Sequence, residues 1–484
     1  MSRLPQLTLF ALILGLAGTA AGQQGLGETF AEILERQTGK KLTPEDRQKL
    51  IDAAQREAQQ NQLRQTSNDE LDAELKALRA ALAAEPEGGA KISTGPGKGF
   101  TLLSGDENFS LNLGALIQIQ ASYTDLDNNR EGHGAPPIPP YPTGTTYGGN
   151  QDTSNWAVRR ARILMQGHAF DPKFTYKLQF EASNGGQVDQ TAPDNNVGLL
   201  DAWVNYEFDP ALNVAAGQMK SPFGLQSTHL AWRLQTIERS QASNFFAPPP
   251  RQIGGLLWGM FGDPDAPVIE YSVGAFNGEG VGATNDETGQ QFVATLRVEP
   301  FGEEDRKKLA PTWMQAEGDP MHLEDPYLMI GGGGSYDSDD TNAQTSGRGV
   351  ELSRANIEGQ FKMMGFSLQG EYFWEWWNPA DGTTRLNKGY YGQLGYFILP
   401  SEFEVYGRYD HIDISRTALS SQYYGANPTY EIDEYTLGLG YFFSPDNPHA
   451  WKIQAEYVYR QSEALGATLD FDDQIFRAML TFVL

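Results

Sequence analysis

From Phe109 to Tyr123 the chain alternates between two kinds of side chain. Phe109, Leu111, Leu113, Ala115, Ile117, Ile119, Ala121 and Tyr123 fall on one side, and Ser110, Asn112, Gly114, Gln118, Gln120 and Ser122 on the other. A period of two puts successive side chains on opposite faces of a strand, so this is a long strand with one apolar and one wet face. The pattern recurs at the end of the sequence, where Phe476, Ala478, Leu480, Phe482 and Leu484 oppose Ile475, Arg477, Met479, Thr481 and Val483. Few soluble sheets need strands this long. Two of them bounding a long β-rich region predict a sheet that closes on itself, an antiparallel transmembrane β-barrel.

The composition fits. Only 39% of the 484 residues are hydrophobic, which a barrel tolerates because half of each strand faces water. No run of about 20 apolar residues follows the N-terminal region, so no membrane-spanning helix is expected. The chain has no cysteine, which excludes a thiolate metal site, a disulfide scaffold and a lipidated N-terminal cysteine. Its net charge of −26 argues against nucleic acid as a partner, since phosphate neutralisation needs Lys and Arg.

Residues 1–22 read as a signal peptide: Arg3, the apolar stretch Leu7–Leu16, then small residues with cleavage within 20–22. Residues 23–85 are helical in composition. Thr43 can cap a helix whose first turn holds Pro44. Leu71, Leu75, Leu78 and Leu82 form a heptad seam of about two heptads. It fits a periplasmic coiled coil that trimerises the protein or contacts the cell wall, and equally a helical hairpin without a partner. Residues 86–108, rich in Gly and Pro, read as a linker, and 109–484 as the barrel.

About sixteen strand-like segments can be placed in that region. They begin near Phe109, Trp156, Lys173, Gly198, Ala211, Arg251, Val268, Gln290, Tyr327, Gly347, Phe366, Lys388, Glu402, Glu431, Ala450 and Phe471. The connections alternate between short, proline-marked turns such as Asp171-Pro172 and Asp209-Pro210 and long polar loops such as 124–155 and 221–250. Outer-membrane barrels have short periplasmic turns and longer outer loops, and an even strand count leaves both termini in the periplasm. The connection 301–326 is long where a short turn belongs. Trp374, Trp376, Tyr390, Tyr396, Phe442 and Trp451 lie near strand ends, where amphipathic rings favour the membrane interface.

A barrel of this size has an aqueous lumen, and a loop folded inward would narrow it. The loop 221–250 carries Arg233, Glu238 and Arg239 and is flanked by Lys220 and Arg251. Positive charge at a constriction lowers the barrier for anions; salt-bridged charges that only shape the loop are the plainer alternative. Parity places Arg160 and Arg162 on the lumen face with Gln166 and His168, and Arg159 on the other face, near the outer lipid headgroups.

Val158-Arg159-Arg160-Ala161-Arg162, Gly217-Gln218-Met219-Lys220-Ser221-Pro222-Phe223, Glu238-Arg239-Ser240 and Arg251-Gln252-Ile253-Gly254 occur in the order and rough spacing of the phosphate-selective porin O and P family, which the chain resembles from about residue 100 onward. The resemblance implies a trimeric, sixteen-stranded outer-membrane porin in which Arg160, Arg162, Lys220, Arg239 and Arg251 guide anions, with Arg233 added from its place in the loop. The sequence shows no dense lysine cluster, and Glu181, Asp201, Glu207, Glu404 and Asp410 have lumen parity and would favour cations.

The six histidines (133, 168, 229, 322, 411 and 449) stand in no catalytic constellation; His411, between Asp410 and Asp413, is at most an isolated metal ligand. The reading is therefore a passive outer-membrane porin for small hydrophilic solutes, with phosphate as the candidate anion. It is a homotrimer in outer-membrane lipid, with no enzymatic step, no cofactor and no metal. A tethering barrel whose helical N-terminus contacts the cell wall, and a non-selective or cation-preferring pore, are the alternatives.

Overall fold

The computed structural model describes residues 31–32, 35–36, 41, 43–49, 51–52, 89–95, 99–126, 152–183, 197–247, 251–263, 266–285, 289–301, 316–338, 351–378, 384–414, 429–464 and 469–484. The signal segment, the heptad leucines and most of 23–85 lie outside the described residues. The chain divides into two compact units, Met1–Gly89 and Ala90–Leu484. In the first, residues 44–49 are helical, and the Thr43 hydroxyl accepts the Asp46 N–H at 3.3 Å, the cap its position promised.

The second unit begins with a hairpin, β1 (Lys91–Gly95) and β2 (Gly99–Leu103). Sixteen strands follow. They are β3 (Ser110–Asp125), β4 (Thr153–Ala169), β5 (Asp171–Glu181), β6 (Gly198–Asp209), β7 (Leu212–Lys220), β8 (Arg251–Asp263), β9 (Ala266–Phe276) and β10 (Gln291–Val298). Then come β11 (Tyr327–Ser338), β12 (Glu351–Met363), β13 (Phe366–Asn378), β14 (Arg385–Leu399), β15 (Phe403–Asp413), β16 (Thr429–Phe442), β17 (Trp451–Ala464) and β18 (Leu469–Val483). Each pairs with the next, and β18 returns antiparallel to β3, with Phe476 opposite Tyr123 and Phe482 opposite Ile117. Gln118 donates to Thr481 across that seam at 3.1 Å. The two alternating segments are therefore the closing pair of a sixteen-stranded antiparallel barrel.

Residues 86–108 are not a plain linker. Phe100–Leu103 pair with Ser110–Leu113, while Val483 stops at Leu116. The hairpin thus covers the stretch of β3 edge that β18 leaves open, and satisfies N–H and C=O groups that would otherwise be a free edge.

Short turns and long connections alternate as expected. At the β12–β13 turn, Met364 and Gly365 both have positive φ (50° and 83°), the requirement of a two-residue hairpin whose twist matches its strands. Ile119, Ile163, Leu257, Ile330, Leu394, Leu437, Ile453 and Phe476 stand exposed on the outside, an apolar surface of the kind that meets a membrane or another protein. Near the long-loop end five tyrosines on adjacent strands, Tyr372, Tyr390, Tyr409, Tyr435 and Tyr459, touch in sequence at ring separations of 5.7, 5.9, 5.0 and 6.3 Å. Tyr441, Phe443 and Trp451 make a second cluster at the short-turn end. Tyr435 and Phe443 are eight residues apart, about 26 Å along a strand, or about 20 Å across the membrane at the tilt usual for such barrels, somewhat less than the apolar band of an outer membrane. Phe442 departs from the girdle reading: it is 2% exposed and points inward, against Phe397 and His449.

Candidate functional site

The loop after β7 turns into the lumen. Its described part, 221–247, holds two short helices, α1 (Leu225–Thr228) and α2 (Gln241–Phe246), with a 3-10 turn at Ala231–Arg233 between them. One wall of the barrel grips it. Glu371 on β13 accepts the N–H groups of Leu225 and Gln226 at 2.7 and 2.9 Å. Glu456 on β17 accepts the Ile237 N–H at 3.0 Å, and Asp410 on β15 the Ala242 N–H at 3.3 Å. Lys452, Gln454 and Arg408 donate to the carbonyls of Leu234, Gln235 and Glu238 at 2.7–2.8 Å. Phe246 stacks on Phe373 with centroids 5.7 Å apart. Gly224 makes the entry possible: its φ is 79°, and a Cβ would lie 3.3 Å from the Glu371 carboxylate.

The long connection between β10 and β11 meets the loop from the opposite end. Glu317 accepts the Gln235 N–H at 2.8 Å and the side-chain amides of Gln226 and Gln393 at 2.9 Å each. His229 lies 3.5 Å from it. Burial lowers the His229 imidazole below its ordinary range, against the raising pull of Glu317. Burial pushes the Glu317 carboxyl upward, but contact with His229, the Gln235 N–H and the Gln393 amide outweigh it and hold the group below the usual carboxylate range. Asp319 accepts the N–H groups of Leu323 and Gly365 at 3.1 and 2.8 Å, and Lys362 donates to the Ala316 carbonyl at 2.6 Å. The excess length of this connection thus serves to brace the inward loop.

Arg159 is corrected by the structure. Gln118 pairs with Arg160 and Ile119 with Val158, leaving Arg159 as the extra residue of a β-bulge. The bulge turns it into the lumen, 4% exposed, where Nε and a terminal nitrogen donate to the two oxygens of Glu238 at 2.6 and 2.8 Å. Burial alone would raise the Glu238 carboxyl; the guanidinium of Arg159, with Arg160 and Arg477 behind it, holds it at about 2.

The opposite wall, β4 to β10, faces an open passage of about 410 Å³. Arg162, Lys173, Lys177, Lys220, Arg251 and Arg297 line it, against three carboxylates, Asp201, Glu207 and Glu270. Arg251 and Lys177 share Asp201 at 2.8 and 3.0 Å, and Arg162 meets Glu181 at 2.6 Å. Lys220 also donates to the carbonyls of Ser227, Thr228 and His229 at 2.8–3.2 Å, a cation at the end of α1. Of the six residues singled out in the sequence, Arg162, Lys220 and Arg251 come together on the passage. Arg160 faces Gln118 at 2.7 Å and Glu238 at 3.8 Å. Arg239 is spent within the loop, on the carbonyls of Gln226 and His229, and Arg233 is half-buried in the 3-10 turn. Lys173, Lys177 and Arg297 were not singled out, although the parity of β5 already gave Lys177 to the wet face.

A membrane-wide barrel, an inward loop and a charged aqueous passage are the parts of a porin. The model of the phosphate-selective porin O and P family matches residues 143–484. The chain belongs to that family. It is an outer-membrane channel, and the barrel is that of a bacterial outer-membrane porin. The porin is also similar to solved structures at low identity. The anion-selective porin from Comamonas acidovorans is 8% identical over 77% of this chain and 100% of its own, with a TM-score of 0.48. The outer membrane channel DcaP of Acinetobacter baumannii is 12% identical over 78% of this chain and 98% of its own, with a TM-score of 0.49. OprB of Pseudomonas putida is 11% identical over 77% and 94%, at 0.47. A search of curated proteins returns no match.

Proposed function

We propose that the channel is a passive, anion-preferring pore without a reaction step, in which solutes descend their gradient past the cations of β4–β10. The observation that carries this reading is the charge of the passage: six cations line it against Asp201, Glu207 and Glu270, and with Glu181 and Glu358, the ion-pair partners of Arg162 and Arg297, the balance is six to five in a chain of net charge −26. A cleft with an excess of one sign of charge concentrates the opposite ion. Arg162, Lys220 and Arg251, with Lys173, Lys177 and Arg297, are the anion-guiding set. Arg160, Arg233 and Arg239 act through the loop, which they position. Family membership supports a homotrimer in outer-membrane lipid with phosphate among its solutes. The short-turn end and both termini lie in the periplasm, where residues 23–85 would assist assembly or contact the cell wall. The test is the reversal potential of single channels in a potassium chloride gradient, followed by addition of phosphate. Anion selectivity with a phosphate-dependent drop in chloride current is expected. A cation-selective reversal potential sinks the reading and leaves the pore.

A further inference from the structure

The passage is not a purely polar tube. Three tryptophans line it: Trp203 on β6, Trp258 on β8 and Trp232 on the 3-10 turn of the loop, accompanied by Leu230 and Leu256. All three indoles are half-buried, leaving part of each ring open. The middle strand offers Asn213 and Ala215 to the lumen between the two wall tryptophans, with Met219 and Lys220 farther along it. β7 is thus the floor of a trough with an indole on either rim and the third facing it from the loop.

Trp203 has a cation beside it, and Trp258 has one farther off, two strands away and itself paired with Glu358 at 2.6 Å. Lys177 is the direct cross-strand partner of Trp203. Trp258 pairs with Ser272 and Ser272 with Thr295, two residues along β10 from Arg297. Trp203 pairs with Gly217, and Trp258 with Asn213. The two wall stations are therefore four residues apart along β7, about 13 Å. Gly217 has a φ of 128° and a Cβ there would collide with the Ala202 carbonyl and the Trp203 Cα, so the close approach of β7 to the β6 backbone needs glycine. Trp258 is fixed by its Nε1–H, which donates to the Asn205 carboxamide at 3.0 Å, and Trp203 packs on the cluster of Ala215 and Met219.

A small inorganic oxyanion gains nothing from this surface. Apolar ring faces give it no donors and displace water that it would keep. A solute with a charge at one end and a flat apolar body gains from both parts of a station. We propose that the passage, while admitting small inorganic anions, favours organic anions carrying a flat apolar ring, aromatic carboxylates being the simplest class. This rests on the anion-preferring reading above.

The experiment uses the full-length porin in planar bilayers under potassium chloride, with benzoate, acetate and inorganic phosphate as probes. Benzoate should interrupt the chloride current at a concentration about tenfold below that of acetate or phosphate. Trp203→Ala with Trp258→Ala should raise the half-blocking concentration of benzoate about tenfold and move that of acetate little. Trp203→Phe, which keeps a flat ring and packs with little disturbance, should retain most of the benzoate effect, and Trp203→Leu should lose it. An anion-selective pore that does not separate benzoate from acetate, or whose tryptophan variants block as the parent does, overturns this inference alone. A cation-selective reversal potential overturns the anion reading and this inference together.

Discussion

Arg159 shows how one residue changes sides. By strict alternation it should face lipid, yet one extra residue in the β3–β4 pairing turns it inward onto Glu238. The contact is a bidentate arginine–carboxylate pair in a nearly dry part of the lumen, where removing one partner of an ion pair costs about 3–5 kcal/mol. Glu238→Gln should therefore loosen the loop by an amount of that order while leaving the barrel folded. The measurement is single-channel conductance and its noise, which should both rise. A variant with the parent's conductance and noise would show that Glu238 does not hold the loop. Acid should reproduce the effect. The Glu238 carboxyl is depressed from an unfolded value near 4.5 to about 2 in the folded protein. The stability it contributes is thus complete above about 4.5 and is lost as pH falls through about 2. Open-state noise should rise over that window in the parent and be absent as a pH-dependent step in Glu238→Gln.

At the scale of elements, the loop 221–250 and the connection before β11 act as one device, entering from opposite ends and meeting at Glu317. Glu317→Ala leaves the Gln235 N–H and the Gln226 and Gln393 amides without their acceptor. Each orphaned buried donor costs about 1–3 kcal/mol. The loop should then become mobile, seen as faster proteolytic cleavage within 221–250 and a raised conductance, while the barrel keeps its heat-resistant mobility in detergent gels. Cleavage at the parent rate would detach Glu317 from this role. The sixteen strands themselves were legible, because period-two alternation and turn residues are local properties: Phe109–Tyr123 and Phe476–Leu484 announce their own faces. The cation-bearing wall was legible in part, since Arg162 and Lys177 follow the same parity. Bulges were not, because an extra residue at Arg159 or Leu200 is fixed by the neighbouring strand, nor was the hairpin at 91–103, which owes its pairing to the edge of β3. Glu317 carries no sequence signal at all; its role comes from partners 76 to 91 residues away.

At the scale of the whole molecule the barrel divides its charge between two walls. The acids of β13–β17, among them Glu371, Asp410 and Glu456, accept N–H groups of the loop. Hydrogen-bonded in this way they face the loop more than the solute, which supports the proposed anion preference despite the lumen parity of Glu404 and Asp410. The cations of β4–β10 line the passage, Arg162, Lys177 and Arg251 with Glu181 and Asp201 beside them. Net charge over the whole chain is therefore a poor guide to selectivity; what counts is which wall a charge stands on. Two substitutions separate these cases. Lys177→Glu reverses one charge on the open wall and should move the reversal potential toward cations, lowering the anion-to-cation permeability ratio by about tenfold. Glu404→Gln removes a carboxylate on the gripped wall, where its partner is the Gln235 amide, and should leave the ratio within about twofold of the parent, since a charge screened from the passage adds little to its field. Equal shifts from both variants would mean that the lumen responds to total charge and that the division between walls has no electrical consequence. The two outcomes are read from one salt gradient, and high ionic strength should compress the first shift as the Debye length falls below the width of the passage.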